Sequence, residues 1–195
     1  MLKINKPIVL ASASPRRQIL LKQIGLKFTV HPSGVDEDSI QSNSPADHVL
    51  TLSKKKAMEV AKNYNDAIVI SADTIVVLDG EIINKPRDSD EAIQMLKKLS
   101  GKTHQVYTGF TILDTKTGKS ICDFEVTEVK FRELSEEEIK EYVATGSPLD
   151  KAGAYGIQDD YGAVFVERIN GCFYNVVGFP LTKFYLRMKE FLSDD

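Results

Sequence analysis

The segment Ile8-Val9-Leu10-Ala11-Ser12-Ala13-Ser14-Pro15-Arg16-Arg17-Gln18-Ile19-Leu20-Leu21 constrains the fold more than any other part of the chain. An apolar run that breaks into small hydroxyl residues reads as a buried strand feeding a helix. Ser14 suits the N-cap, Pro15 the first helical position and Gly25 the helix end. A strand passing this tightly into a helix leaves free backbone N–H groups at the turn. Those groups and the helix dipole favour an anion. Two serines and two guanidinium forks at the same place suit a phosphate better than a carboxylate. The alternative is an ordinary strand-to-helix turn with solvated arginines.

The rest of the chain alternates strand and helix signals, then becomes strand-rich, then closes on a helix. Lys27 to His31 reads as a second strand and Pro32 to Pro45 as a long polar loop, of a length that is often functional. Pro45 to about Asn63 has helical periodicity, and Ala67 to Ala72 suits a central strand. Thr74 to Leu78 and Glu81 to Asn84 read as a hairpin over Asp79-Gly80, a favoured type I′ pair. Ser89 to Leu99 reads as a helix, His104 to Asp114 and Ser120 to Phe131 as long strands, and Ser135 as the cap of a short acidic-started helix. Gly162 to Ile169 and Cys172 to Val177 read as a further hairpin, and Pro180 to Leu192 as the last helix. This order predicts an α/β fold built on a long curved mixed β-sheet flanked by helices, in two lobes with a central cleft.

Composition narrows the function classes. The chain has 195 residues, 25 basic and 28 acidic, for a formal net charge of -3. That balance argues against a partner held by bulk electrostatics, so no nucleic acid is expected. No apolar run approaches the roughly 20 residues of a membrane span, and Met1 to Pro7 lacks a secretory segment, so no membrane partner is expected. Cys122 and Cys172 form no CxxC pair, and His31, His48 and His104 make no zinc motif. A thiol-keeping, cytoplasmic setting is the simplest compartment.

Several further positions can carry chemistry. Asp73, in Ser71-Ala72-Asp73-Thr74, stands where the apolar strand is expected to end. It reads either as a turn aspartate or as a metal ligand or general base, since Mg²⁺ takes a few carboxylates together with phosphate oxygens. Lys85, in Asn84-Lys85-Pro86, reads equally as a solvated lysine before a turn proline. Within Lys54-Lys55-Lys56, Lys56 lies one helical step from both Leu52 and Val60 and leans toward the core, whereas Lys54 and Lys55 face solvent. Gln158, after the glycine pair Gly153 and Gly156, offers a donor and an acceptor that could read a nucleobase edge or satisfy a loop backbone. No Walker A, GxGxxG or Ser/His/Asp signature is present. The residues alone reach a phosphate-binding, metal-assisted α/β domain.

Taken together, LASASPRRQILL (10–21), ISADTIVVLDGEIINKP (70–86), THQVYTG (103–109), TGSPLDKAGAYGIQ (145–158) and NVVGFPL (175–181) resemble the Maf family of nucleoside triphosphate pyrophosphatases. The blocks span nearly the whole chain in the family's order. The resemblance implies one domain over residues 1–195, an inosine triphosphatase-like fold, and hydrolysis of a nucleoside triphosphate to the monophosphate and pyrophosphate. It implies a divalent metal cation, Mg²⁺ or Mn²⁺, and a cytoplasmic homodimer. On the family's pattern Asp73 matches the proposed catalytic base and Glu37 an acidic residue of the long loop, and these two carboxylates are expected to hold the metal. Ser12, Arg16, Lys56 and Lys85 match the phosphate pocket. The set Arg16, Thr74 and Gln158 is similar to that of the subgroup acting on dTTP and UTP. One departure is Asp159-Asp160-Tyr161, where many members have a shorter, glycine-containing link. A competing expectation is a non-enzymatic nucleotide-binding regulator of cell division.

Overall fold

A computed structural model describes residues 2–37, 42–158 and 161–193. Asp38 of the long loop, and Asp159 and Asp160 of the unusual link, lie outside the described residues. Among the described residues the chain carries a seven-stranded mixed sheet of β1 (Ile8–Leu10), β2 (Thr29–Val30), β3 (Ile68–Leu78), β4 (Glu81–Ile83), β5 (Thr103–Asp114), β6 (Ser120–Phe131) and β7 (Val166–Asn170), in the order β2-β1-β3-β5-β6-β7, with β4 paired to β3 off that path. Helices flank it, as the sequence predicts. The chain divides into two compact units, Met1–Asp73 with Thr108–Glu125 and Gly178–Asp195, and Thr74–Tyr107 with Val126–Val177.

In the first unit, β1 (Ile8–Leu10) pairs in parallel with β2 (Thr29–Val30) and with the start of β3 (Ile68–Leu78). Between β1 and β2 runs α1 (Pro15–Gln23), capped by Ser14 and opened by Pro15. It ends as its sequence foretells. Gly25 takes φ 79°, its N–H donates to the Lys22 carbonyl, and the Leu26 N–H donates to that of Leu21. These two bonds make a Schellman closure, which a glycine admits without a Cβ penalty. The next helix, α2 (Pro45–Ala61), buries Ala57 and Val60 against Val9, Ala11, Ala67 and Val69. A second apolar cluster brings Phe179 and Phe184 onto Phe110, with α6 (Leu181–Ser193) supplying Phe184.

In the second unit, β3 turns into β4 (Glu81–Ile83) through Asp79 and Gly80, both at positive φ (53° and 84°), as a type I′ turn requires. Helices α3 (Ser89–Leu99) and α4 (Glu136–Ala144) pack on β5 (Thr103–Asp114) and β6 (Ser120–Phe131) around Leu96, Leu99, Val106, Val129, Phe131 and Tyr142. Ser135 and Glu138 close a full capping box on α4.

Two sequence expectations are corrected. Asp73 does not end a strand: β3 runs unbroken through it, and all but one of its eleven residues are buried. The strand continues because Lys56 pairs with the carboxylate, so no turn is needed to bring it to water. The expected hairpin of Gly162 to Ile169 with Cys172 to Val177 is likewise absent. β7 (Val166–Asn170) pairs with β6, but Phe173–Val177 forms the short helix α5. Side-chain bonds replace the ladder there. The Cys172 N–H donates to Thr127 Oγ1 (3.0 Å), and Asn175 Nδ2 donates to the Val106 carbonyl (2.9 Å) and to Thr127 Oγ1 (3.0 Å). The Cys172 carbonyl accepts from the Thr127 hydroxyl (3.2 Å) and from the first helical N–H groups, those of Asn175 and Val176.

Candidate active site

The site of the first unit is built around a buried lysine. Lys56 is 6% exposed and Asp73 5%, an arrangement that charges tolerate only when paired. Lys56 Nζ lies 2.7 Å from Asp73 Oδ1 and 2.7 Å from Glu37 Oε1. Three elements converge there: α2 supplies the cation, β3 the buried carboxylate, and the loop after β2 the half-exposed one. Lys56 reaches the site because Leu52 and Val60, one turn to either side, turn that face of α2 inward. Lys54 and Lys55 are exposed, as their spacing predicts. Ser71, two residues before Asp73 on the same face of β3, donates to the Ser53 carbonyl at 2.5 Å and pins the strand to α2.

The strand-to-helix turn lies in the same unit. Ser12 is buried, and its Oγ accepts from the Ser14 N–H (3.3 Å) and from Arg17 Nη1 (3.1 Å). Arg17 also donates from Nη1 to the Ala72 carbonyl (2.8 Å) and from Nε to the Gly178 carbonyl (3.0 Å). Burial pushes its guanidinium below the ordinary arginine range, while the charges of Asp73 and Glu37 favour the cation and Arg16 opposes it. Arg16 is half-buried. The structure therefore brings Ser12, Glu37, Lys56 and Asp73 into one unit with the start of α1, and adds Arg17, which sequence reasoning did not single out. The signal was present: Arg17 stands three residues before Leu20 and four before Leu21, the two buried positions of α1.

The remaining sequence candidates belong to the second unit. Thr74 follows Asp73 in β3, half-buried, and strand alternation turns it to the opposite face of the sheet. Lys85 and Gln158 are exposed. Their segments are tied together by the Gly153 N–H, which donates to the Asn84 carbonyl at 3.1 Å. Gly153 sits at φ 70°, and a Cβ there would stand 2.9 Å from Val76 Cγ2, so the chain approaches β3 too closely for another residue.

Two carboxylates sharing one buried ammonium, in a unit with a serine- and arginine-bearing helix start, make up the charged centre of this mixed-sheet α/β protein. The chain belongs to the Maf family, whose model, described as Maf-like protein, matches residues 7–191. It is 49% identical over 182 residues to a dTTP/UTP pyrophosphatase of Caldicellulosiruptor saccharolyticus, covering 91% of each chain. It is 45% identical over 194 residues to a dTTP/UTP pyrophosphatase of Salinibacter ruber, covering 100% of this chain and 95% of that one. Among solved structures it is similar to the Staphylococcus aureus Ham1 protein, at 16% identity and a TM-score of 0.46, over 65% of this chain and 72% of that one.

Proposed function

We propose that this protein hydrolyses nucleoside triphosphates, dTTP and UTP foremost, to the monophosphate and pyrophosphate. The observation that carries the reading is the buried Lys56–Asp73 pair with Glu37 on the same ammonium, in a chain close to relatives named for that reaction. Water attacks the α-phosphorus and pyrophosphate leaves. Asp73 acts on the water. Lys56 occupies its Oδ1, so the second carboxylate oxygen is the one to orient the water or take its proton. Ser12, Arg16 and Lys85 hold the triphosphate; positioning of this kind carries most of phosphoryl-transfer catalysis.

The donor set fits a divalent cation. Mg²⁺ takes one or two carboxylates and completes its shell with water and phosphate oxygens. Asp73 and Glu37, already gathered at one cation, are that pair. When bound, Mg²⁺ or Mn²⁺ would offset charge developing on the phosphate oxygens.

Arg16, Thr74 and Gln158 select the base. The Gln158 amide pairs its donor and acceptor with the imide edge of uracil or thymine, and a base of the wrong pattern leaves that donor and acceptor unmatched. The 1–195 span acts as one functional domain, in a cytoplasmic homodimer, as the family resemblance supports. No helix among the described residues is long and apolar enough to cross a membrane.

Product analysis tests the reaction: the pure protein is incubated with each common nucleoside triphosphate and Mg²⁺ or Mn²⁺. Monophosphate plus pyrophosphate, fastest from dTTP and UTP, is the expected result. Release of inorganic phosphate would make the protein a phosphatase. Binding without turnover would make it a regulator.

A further inference from the structure

Arg17 is the charged residue at the helix start for which the proposed chemistry has no use, yet three hydrogen bonds hold it in place. Its guanidinium gathers acceptors from three separate stretches: Ser12 Oγ ahead of α1, the Ala72 carbonyl of β3, and the Gly178 carbonyl ahead of α6. A planar fork serves them from two nitrogens, Nε and Nη1, whereas an ammonium carries its donors on a single nitrogen. The Ala72 carbonyl belongs to the peptide that leads directly into Asp73.

The bonds at Ser12 carry the argument further. A hydroxyl has two lone pairs and one proton. The lone pairs of Ser12 Oγ accept from Arg17 Nη1 and from the Ser14 N–H. Only the O–H is left to offer, so Ser12 is a donor and nothing else. An oxygen in that state cannot attack phosphorus without first releasing one of its bonds. An O–H donor is also what a phosphate oxygen takes.

We propose that Arg17 is a positioning residue: it fixes the Ser12 hydroxyl as a donor to a phosphate oxygen of the substrate. The inference rests on the nucleotide-hydrolysis reading and deepens it. Of the two consecutive arginines, Arg16 then meets the substrate and Arg17 the protein.

A double-mutant cycle on dTTP hydrolysis tests it, with the wild type, Arg17→Lys, Ser12→Ala and the double variant, each checked for folding by thermal melting. Loss of a hydrogen bond held by a charged group lowers kcat/KM about 10-fold to 100-fold for Arg17→Lys. The loss falls in kcat, with KM within about threefold, because Arg16 and Lys85 still bind the triphosphate. In the Ser12→Ala background the same change costs no more than about threefold, since Arg17 has lost the group it positions. Multiplicative effects, or Arg17→Lys within about twofold of wild type, overturn the proposal. Arg17→Gln serves in the same cycle should the lysine variant not fold. A second measurement uses only the wild type: dTTP labelled at the α-phosphate, quenched during turnover, leaves no label on the protein, and a Ser12 adduct overturns the donor-only role. Absence of wild-type turnover defeats the functional reading itself; turnover with a multiplicative cycle defeats only the role of Arg17.

Discussion

His104 makes the folded state acid-sensitive. The side chain is 1% exposed, its ring edge-on to Phe131 (5.0 Å between centroids) and to Tyr155 (5.4 Å). Its Nε2 meets Tyr155 Oη at 2.8 Å, and its Nδ1 has no hydrogen-bond partner among the described residues. Protonation would put an N–H on both ring nitrogens, leaving one buried and unpaired. Burial accordingly pushes the imidazole down from 6.5 to about 4. Above pH ~6.5 the ring is neutral in both folded and unfolded chains and costs nothing. As the pH falls from ~6.5 toward about 4, the unfolded chain takes up a proton that the folded one refuses, and stability declines with it. At ~1.4 kcal/mol per pH unit, the full loss is about 3 kcal/mol, of which about 1.3 kcal/mol falls between about pH 7.5 and about pH 5.5. Urea denaturation at those two pH values, on the wild type and on His104→Gln, reads it. The variant is expected to be less stable at neutral pH but to lose about 1.3 kcal/mol less on acidification. Carboxylates held down by cationic partners titrate in both proteins and cancel in the comparison. Equal pH slopes in the two proteins would refute the argument, because the acid sensitivity would then lie elsewhere.

Two other predictions concern single positions. A Cβ on Gly109 would lie 2.6 Å from both the carbonyl carbon and oxygen of Val49, so Gly109→Ala must push α2 off β5. A loss of about 3 kcal/mol, roughly 10 °C in Tm, is expected in thermal melting, and an unchanged Tm would show that the contact relaxes freely. Gln158→Glu, at an exposed position, is expected to leave Tm unchanged while lowering kcat/KM for dTTP and UTP at least about tenfold. An unaltered substrate profile would remove Gln158 from base recognition.

Much of this was legible in the sequence because local rules and tertiary packing agree. Ser14, Pro15 and Gly25 bound α1 as capping chemistry dictates. Asp79-Gly80 sets its hairpin, and the helix read over Ser89 to Leu99 forms with those bounds, its start capped by Asp88. The inward lean of Lys56 was readable from Leu52 and Val60. Failures came where a distant side chain decided the outcome. Phe173–Val177 has the composition of a strand, but Thr127 and Asn175 tie its start to β6 and β5 through side chains, and the backbone closes into a helical turn instead. Asp73 looked like a strand end because an isolated carboxylate does not belong inside a buried strand; only Lys56, on another element, makes it tenable. Arg16 and Arg17 look alike as two guanidinium forks in the sequence, and only the buried face of α1 tells them apart.

The central claim is that Asp73 acts on the attacking water while cationic and hydroxyl groups bind the nucleotide. Asp73→Asn tests it most directly, with dTTP turnover and dTTP binding measured on the same preparation in the presence of Mg²⁺. The account predicts that turnover is lost by at least about 10³-fold while the dissociation constant stays within about tenfold, since general-base roles contribute on that scale. Turnover close to that of the wild type would contradict it and remove Asp73 from the chemistry.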